Sequence, residues 1–274
     1  MSIILYKVGY DPVTIPNCQL DYDTTINLAL VINESSDGTV KVGDYGSEYD
    51  YRKTNFQFHL TEDQFNDLEG FLENQSTGRL ESFDFMPIAP YGVYPFGADL
   101  GNGQDIYYTT KLESFKFGTR LRRPYNKCIV DLGLHLCTTT GTYTIPTSYT
   151  KMGTVSILGL NNLPNPNVEL IIDDHIANST TLGGSLTGVD FKRKLRYVKS
   201  KLTFKVNRNC AANLIHELTT VRHLNFTLTT PSSCYPFGFE EGYGSFTVKL
   251  CDNKIKTKHM GKDLISVEFT VQKQ

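Results

Sequence analysis

Apolar and polar residues alternate in several segments of the chain, and two of these segments are each followed by a helical pattern. Residues Asn55-Phe56-Gln57-Phe58-His59-Leu60 alternate as a half-buried strand does. Thr61-Glu62-Asp63-Gln64 then has the form of a helix N-cap with a capping box. Apolar residues at helical spacing predict an amphipathic helix that ends near Gly78: Phe65, Leu68, Phe71 and Leu72.

The second half of the chain repeats this order. Lys201-Leu202-Thr203-Phe204-Lys205-Val206 alternates as a strand, and Asn207 or Asn209 can cap the helix that follows. The apolar stripe of that helix consists of Ala211, Leu214, Ile215 and Leu218. A shift of 146 residues superimposes Phe58, Leu60, Leu68 and Leu72 on Phe204, Val206, Leu214 and Leu218. The pattern therefore predicts an internal repeat.

The similarity continues after each helix. A short strand is predicted at Leu80 to Phe85 and at Leu224 to Leu228, and each leads to a proline, Pro87 or Pro231. Each loop that follows contains the same four residues, Tyr94-Pro95-Phe96-Gly97 and Tyr235-Pro236-Phe237-Gly238. Each copy then has a strand with Thr-x-Lys-Leu and a final alternating strand: Thr109 to Leu112 and Cys128 to Leu134, then Thr247 to Leu250 and Ile265 to Val271.

These elements predict a mainly β (α+β) protein of two tandem units, residues 1–136 and 137–274, with the Thr-rich stretch from Thr138 to Thr150 opening the second. Each unit is expected to be an antiparallel β-sandwich or barrel with one flanking α-helix, because an amphipathic helix must bury its stripe against a sheet. The 274-residue length and the content of 16 Phe and 16 Tyr are consistent with two β-rich domains.

Charge is divided unevenly between the two predicted units. Residues 1–136 contain 11 Lys and Arg against 19 Asp and Glu, a net charge of −8, whereas residues 137–274 contain 16 against 10, a net charge of +6. Much of the positive charge lies between Lys192 and Lys201, and Lys199, Lys201 and Lys205 are predicted to face outward from a strand. These lysines fit a solvated face, a nucleic-acid surface or an interface in which the basic unit contacts the acidic one.

The two Tyr-Pro-Phe-Gly segments allow two interpretations. Each can form a turn that packs on its own domain, or an arm that reaches a neighbouring protomer. In the second case Tyr94, Phe96, Tyr235 and Phe237 contribute to a subunit interface together with the three outward-facing lysines.

Signals of catalysis or ligand binding are weak. The sequence contains no Gly-x-Ser-x-Gly, phosphate-loop or His-Glu-x-x-His motif. Asp173-Asp174-His175 and the set Cys234, Cys251 and His259 are poor metal candidates, since neither has a metal-site spacing. We therefore expect no enzymatic activity, no cofactor and no metal. The N-terminal residues have no basic region before a long apolar run, and we expect no membrane insertion.

The order of elements, with the residues inside them, resembles the distal tail proteins of long-tailed bacteriophages and the minor tail protein M of phage lambda. The similar stretch begins at Val42-Gly43-Asp44-Tyr45-Gly46-Ser47, which is similar to a Phe-Gly-Asp-Gly-Tyr-Ser segment of the family. The strand Phe56 to Leu60, the helix residues Leu68-Glu69-Gly70-Phe71-Leu72 and the aromatic strand Phe83 to Pro87 follow in the family's order. The resemblance covers most of residues 40–135 and returns in 190–272, where the Gly-Asp-Tyr-Gly segment is missing.

This resemblance implies a structural virion protein of the tail tip or baseplate tube, made in the host cytoplasm. It implies a ring around the DNA channel, with a tail tube protein, a distal tail protein, a baseplate hub and the tape-measure protein as neighbours. Single-unit relatives resemble sixfold rings, so a two-unit chain is expected to close the ring as a homotrimer. DNA would only pass through, and an acidic or neutral lumen would let it slide.

Two other classes of function fit parts of the sequence. Aromatic residues in the loops at 87–105 and 229–245 could stack on sugars in a receptor- or carbohydrate-binding module of the tail tip. A glycan hydrolase would need paired carboxylates, for which Glu240 and Glu241 are the candidates, although neighbouring acids on one strand diverge.

Overall fold

The protein is mainly β, as the alternating pattern predicts. The computed structural model describes residues 2–19, 21–34, 40–75, 81–87, 94–101, 106–122, 127–141, 143–173, 176–180, 186–190, 197–261 and 263–274. The first elements are β1 (Ser2–Tyr6), β2 (Val13–Pro16), β3 (Asp23–Asn27), β4 (Leu30–Glu34), β5 (Val40–Asp44), β6 (Tyr51–Thr61), α1 (Glu62–Gly70), β7 (Ser82–Pro87), β8 (Tyr107–Arg122) and β9 (Lys127–Thr140). The remaining elements are β10 (Val155–Ile157), β11 (Leu160–Leu163), β12 (Asn167–Asp173), β13 (Ile176–Thr180), β14 (Leu186–Asp190), β15 (Tyr197–Asn207), α2 (Arg208–Val221), β16 (Phe226–Thr230), β17 (Gly244–Leu250), β18 (Lys254–His259) and β19 (Leu264–Lys273).

One antiparallel sheet of 15 strands runs through the molecule. Its main path is β11-β10-β16-β17-β19-β18-β3-β6-β9-β8-β7-β1-β2, and β15 and β12 extend it on the other side of β19. Two hairpins, β4–β5 and β13–β14, stand outside this sheet. The strands of the first and second halves are therefore joined in one hydrogen-bonded sheet through the β3–β18 pair.

Helix α1 begins where the sequence predicts. The Thr61 hydroxyl accepts a hydrogen bond from the backbone N–H of Gln64, and the Gln64 side chain accepts one from the backbone N–H of Thr61, which completes the capping box. The helix continues as one π-helical turn over Phe71–Gln75. Leu68, Phe71 and Leu72 are buried, so the predicted stripe faces the core. The predicted end at Gly78 lies outside the described residues.

Helix α2 follows β15 without a loop. Asn207 is its N-cap, and its side-chain oxygen accepts a hydrogen bond from the backbone N–H of Cys210 at 2.9 Å. The four predicted stripe residues are completely buried: Ala211, Leu214, Ile215 and Leu218. The longer helix also buries the small residues Cys210 and Ala212, whereas α1 buries only Leu68 before its π-helical turn.

Two hydrophobic cores lie under the sheet. One core consists of first-half residues, among which Phe56, Phe85 and Phe96 form an aromatic cluster with ring centroids 5.1–6.4 Å apart. The other surrounds α2 but also contains first-half residues: Ile26, Leu28, Leu30, Tyr94 and Ala98. The cores therefore do not divide at residue 136, and this position lies inside β9, which continues to Thr140.

The strands after the two helices differ slightly from the prediction. The strand expected from Leu224 begins only at Phe226, because Leu224 is in the turn that ends α2. The strand expected from Leu80 begins at Ser82 in the described residues, and Leu80 itself lies outside them.

Candidate assembly interface

The two halves of the chain meet along β3 and β18. These strands pair antiparallel, with Ile26 opposite Ile255 and Thr24 opposite Thr257. The ladder is extended at both ends, by the N–H of Leu28 to the carbonyl of Asn253 (2.8 Å) and by the N–H of His259 to the carbonyl of Tyr22 (3.1 Å). The two isoleucines are buried in the α2 core, whereas the lysines of β18 lie on the opposite face: Lys254, Lys256 and Lys258.

Three aromatic rings stack where this ladder ends. The imidazole of His259 stacks on Tyr22 and on Tyr94, with centroid distances of 5.1 and 6.1 Å. The Tyr22 hydroxyl also accepts a hydrogen bond from the backbone N–H of Tyr94 at 2.7 Å. Burial of its phenol raises the pKa of Tyr22 well above its usual value. His259 is therefore held in an aromatic stack.

Arg222, directly after α2, forms an ion-pair cluster with the first half. Its guanidinium donates to Asp50 at 2.6 and 3.0 Å and to Asp44 at 2.9 Å, and its side chain is almost completely buried. Asp50 also accepts a hydrogen bond from the N–H of Ala29 at 2.7 Å. The contact is bidentate and charge-assisted, the geometry in which arginine binds carboxylates most specifically.

The pKa of Asp44 is lowered by this cluster. Burial alone raises the pKa of a carboxyl, but the N–H of Gly46, the charge of Arg222 and a hydrogen bond from His223 together hold the pKa of Asp44 below its usual value. Since these contacts favour the ionised carboxylate, Asp44 remains charged at neutral pH.

The contacts between the halves follow the uneven charge of the sequence. Arg222 and His223 of the basic half pair with acids of the first half, and Lys258 lies 3.2 Å from Asp21. These contacts join basic residues of the second half to acids of the first within one chain, but they are not made by Lys199, Lys201 or Lys205, and an interface formed by those lysines stays a prediction. Contact between different copies of the chain is a separate question.

The two Tyr-Pro-Phe-Gly segments form similar turns that pack on their own chain. In each, the glycine N–H donates to the tyrosine carbonyl, at 3.1 Å for Gly97 and 3.3 Å for Gly238. The carbonyl of Pro95 accepts a hydrogen bond from the hydroxyl of Thr54, and that of Pro236 accepts one from the hydroxyl of Ser200. A turn is therefore fastened to the long strand before the helix in both halves.

Gly97 is required by its surroundings as well as by its backbone. Its φ of 114° is in the range that favours glycine. A Cβ at this position would lie 2.7 Å from the Arg52 guanidinium and 2.8 Å from the Asp99 carboxylate, which pair with each other at 2.6 Å.

The structure separates the four aromatic candidates for a subunit interface. Phe96 and Phe237 are buried in the cores of their own halves, whereas Tyr94 is buried in the core around α2 of the other half. Tyr235 is half-buried and contacts Phe239 and Tyr243, at centroid distances of 4.6 and 6.1 Å. Phe239 and Tyr243 are 84% and 57% exposed and were not among the residues singled out from the sequence.

The three candidate lysines lie on the face of β15 that points away from α2. Lys201 pairs with Glu169 on the neighbouring strand β12, and Lys205 is exposed. Lys199 is half-buried on the same face. The rest of the basic run, 191–196, lies outside the described residues.

Several strand edges are open within the part of the chain that the structure describes, including the outer edges of the terminal strands β2 and β11. Two further open edges belong to β12 and β8. Strand β12 pairs with β15 on one edge, and no described strand pairs with its other edge. Strand β8 pairs with β9 along its length, but β7 covers its second edge only from Tyr108 to Lys111. Such edges carry a row of unsatisfied backbone donors and acceptors that another strand can pair with.

The described residues give little support to a metal or catalytic site. They contain no group of three His, Cys, Asp or Glu side chains placed to hold a metal ion, and Asp174 and His175 lie outside them. Glu240 and Glu241 are both exposed in a turn, and Glu241 pairs with Lys273. Within the same residues, no helix is long and apolar enough to cross a membrane.

Sequence reasoning missed the Arg222 cluster and the β3–β18 ladder. Arg222 is separated from Asp50 by 172 positions, and no local pattern links them. The only signal was the alternation of lysines in β18, which marks a strand without naming its partner. In comparisons with known proteins, the sequence matches no protein-family model and has no significant match among curated proteins.

Proposed function

We propose that the chain is a tandem duplication of one tail-tube-like unit, an antiparallel β-sandwich or barrel with a flanking helix. We further propose that it forms a structural ring of a phage tail tip. The observation that carries the proposal is a constant offset of 146 residues. This offset relates β6 to β15, the N-cap Thr61 to the N-cap Asn207, and the β3–β6 register to the β12–β15 register.

The order of strands supports the same proposal. In the first half the sheet runs β6-β9-β8-β7-β1-β2, and in the second half it runs β15-β19-β17-β16-β10-β11. In both, a hairpin outside the main sheet precedes the long strand that leads into the helix. A repeated order of this length is the pattern expected of duplication, since unrelated halves rarely share a whole topology.

The fastening of the turns provides a third, independent support. Thr54 and Ser200 are related by the same offset, and each donates its hydroxyl to the proline carbonyl of a Tyr-Pro-Phe-Gly turn. Both phenylalanines of these turns, Phe96 and Phe237, are buried. The repeated segment is thus explained by a shared packing arrangement.

In the proposed assembly, three copies close into a homotrimeric ring of pseudo-sixfold symmetry. Neighbours along the tail are a tube protein, a distal tail protein, a hub and the tape-measure protein, and the location is the tail tip of the virion. Such a ring needs no catalytic group, because its function is to hold a channel open and to connect the tail tube to the host-recognition hub.

The polar face of the sheet is the proposed channel lining. On this face the described lysines outnumber the described acids: Lys53, Lys111, Lys116, Lys199, Lys201, Lys205, Lys249, Lys254, Lys256 and Lys258 against Asp23, Asp84, Glu113, Asp131, Glu169 and Glu268. An acidic or neutral lining, which the resemblance led us to expect, does not fit this face. We expect weak, salt-sensitive DNA binding in a gel-shift assay, and an absence of binding at low salt would contradict a basic channel.

The test of the proposed function is the mass and shape of the purified chain. Light scattering should give a mass near three times 30.9 kDa, and negative-stain images of the same fraction should show rings of apparent sixfold outline. A hexamer or a monomer that forms no rings, even with its tail neighbours present, would refute the homotrimeric ring.

A second candidate function is a receptor- or carbohydrate-binding module. The observation that favours it is the exposed aromatic group of Tyr235, Phe239 and Tyr243, since exposed aromatic faces are suited to stacking on sugars. A reproducible hit on a glycan array that is lost in Phe239→Ala would support this function, and a blank array would count against it.

A further inference from the structure

Strands β3 and β18 pair inside the chain, but among the described residues the strands that correspond to them in the other halves do not pair with each other. Strand β18 uses one edge for β19 and the other for β3. Under the proposed duplication, β3 corresponds to β12 by the 146-residue offset. The part of β8 that begins at Ser114 corresponds to β18, because both pair with equivalent segments of the closing strand. This inference therefore rests on the proposed function.

Both counterparts have an open edge. The edge of β12 away from β15 and the edge of β8 beyond Lys111 have no strand partner among the described residues. The β12 edge corresponds to β3, and the β8 edge corresponds to β18. Because β3 and β18 pair with each other inside the chain, we expect the β12 edge to pair with the β8 edge and not with a second copy of itself.

We propose that the β8 edge of one copy of this chain pairs antiparallel with the β12 edge of the next copy. The internal junction fixes the register. Lys256 is opposite Glu268 and Thr25, while Lys116 is opposite Asp131, the counterpart of Glu268. Lys116 therefore pairs with Ile171, Phe115 with Ile172, Phe117 with Leu170 and Gly118 with Glu169.

The residues at this register are suited to each other. In the internal junction, Ile26 faces Ile255 and both are buried. The corresponding pair between copies is Phe115 and Ile172, and the next apolar pair is Phe117 and Leu170. Leu170 and Ile171 are 39% and 37% exposed in the single chain. Pairing with β8 would cover this apolar surface.

Charge follows the same rule at the open edges as at the internal one. Inside the chain, Lys258 of β18 lies opposite Asp23 and 3.2 Å from Asp21. By sequence, the part of β8 beyond Lys111 has a net positive charge, with Glu113, Lys116, Arg120 and Arg122, whereas β12 contains the acids Glu169 and Asp173. The basic edge thus belongs to the acidic half and the acidic edge to the basic half. This arrangement favours head-to-tail contact and opposes the pairing of identical edges.

A contact between two different edges is heterologous, so it repeats from copy to copy until the assembly closes. Each copy added would contribute one internal junction and one junction between copies, with the same strand order at both. The proposed pairing would therefore make the ring a continuous sheet.

Cysteine cross-linking tests the edge and its register. In a Cys137→Ser background, which removes the exposed native thiol, Lys116→Cys is combined with Ile171→Cys. Opposite residues of antiparallel strands have Cα atoms about 4.5–5.5 Å apart, within the range of a disulfide. Mild oxidation should give covalent multimers on a non-reducing gel. The shifted pair Lys116→Cys with Glu169→Cys should give at least about tenfold less, because two-residue diagonals lie about 7–8 Å apart.

The internal junction supplies the matched control. Thr25→Cys with Lys256→Cys is the equivalent pair inside one chain, and it should close as an intramolecular disulfide that leaves a monomeric band. If this control closes while the Lys116 and Ile171 pair stays monomeric, the proposed edge is wrong.

Negative-stain images of the same samples separate this inference from the proposed function. If the oxidised samples show rings but the cysteines at positions 116 and 171 do not cross-link, the proposed ring stands and the β8–β12 contact is overturned. Covalent multimers that form open chains instead of rings would support the contact and refute the ring.

Discussion

Strand β8 of the first half and its counterpart in the second half differ in one segment, and that difference decides how the two halves join. In the first half, β8 is a single strand of 16 residues that passes a bulge between Leu112 and Ser114. In the second half, the same stretch is divided into β17 and β18 by residues 251–253. Strand β8 pairs with β9, and β17 and β18 pair with β19. Only in the second half does the other edge of this segment, that of β18, pair with β3.

The difference also shows what a strand edge looks like with and without a partner. Thr24 on β3, which pairs with both β6 and β18, is 2% exposed, whereas Leu170, at the same position of β12, is 39% exposed. The more apolar residue is thus the more exposed one. Because burial of apolar surface is favourable, this inversion indicates an edge suited to further pairing.

The largest expected effect comes from removing the aromatic residue of one turn. Phe96→Ala should lower the free energy of unfolding by about 3–5 kcal/mol, since the ring is fully buried among Phe56, Phe85 and Tyr108. Phe237→Ala should cost less, about 3 kcal/mol, because the aromatic contact described for this ring is with Phe246. Chemical denaturation followed by far-UV circular dichroism measures both.

Phe239→Ala is the matched control for these two variants. Its ring is 84% exposed, and removal should change the free energy of unfolding by less than about 0.5 kcal/mol. Equal losses for Phe96→Ala and Phe237→Ala would show that the two halves are packed more alike than their ring contacts indicate.

The next largest effect is expected at the contact between the halves. Arg222→Ala should cost about 3 kcal/mol, because it leaves the carboxylates of Asp44 and Asp50 partly buried without their cation. Arg208→Ala, which removes an exposed pair 3.8 Å from Asp263, should cost less than about 1 kcal/mol. The same denaturation experiment compares the two, and similar values would mean that the cluster does not stabilise the junction.

A smaller effect is expected from acid, since it acts on one carboxylate of the cluster. The pKa of Asp44 is lower in the folded chain than its ordinary value of 3.8. Its contribution to stability is therefore fully present above that value and is lost as the pH falls through the lower, folded pKa. Asp44→Asn should be less stable than the parent at neutral pH, and the difference should shrink as the pH falls below about 4. A constant difference would contradict the proposed linkage.

Local elements were predictable because their causes are local. The capping box at Thr61, the cap at Asn207 and the stripe of α2 depend on residues within one helix. The strand that leads into each helix is equally local, since alternation alone places its apolar residues on one face.

The junction was not predictable because its partners are far apart in the sequence. The fold brings Arg222 into contact with Asp50, which is 172 positions away in the sequence. The sequence of β18 does not specify that its partner is β3. Burial of the turn residues was equally inaccessible, since a Tyr-Pro-Phe-Gly segment has the same local signal whether it packs inward or extends. Sequence periodicity identifies faces of elements but not the elements that meet.

The smallest expected effects are at the helix caps, where the two halves are most alike in sequence and differ in what the helix buries. Asn207→Ala should lower the global free energy of unfolding by about 1 kcal/mol, because α2 packs along its length on the core. Thr61→Ala removes a complete capping box, yet α1 buries only Leu68 before its π-helical turn, so the helix can open without the rest of the chain. We therefore expect Thr61→Ala to speed amide hydrogen exchange within α1 while shifting the global denaturation midpoint less than Asn207→Ala does. Thr61→Ser keeps the hydroxyl acceptor and should restore slow exchange. An equal shift of the midpoint by both alanine variants would mean that α1 is as tightly coupled to its core as α2, and that the two halves differ less than their burial indicates.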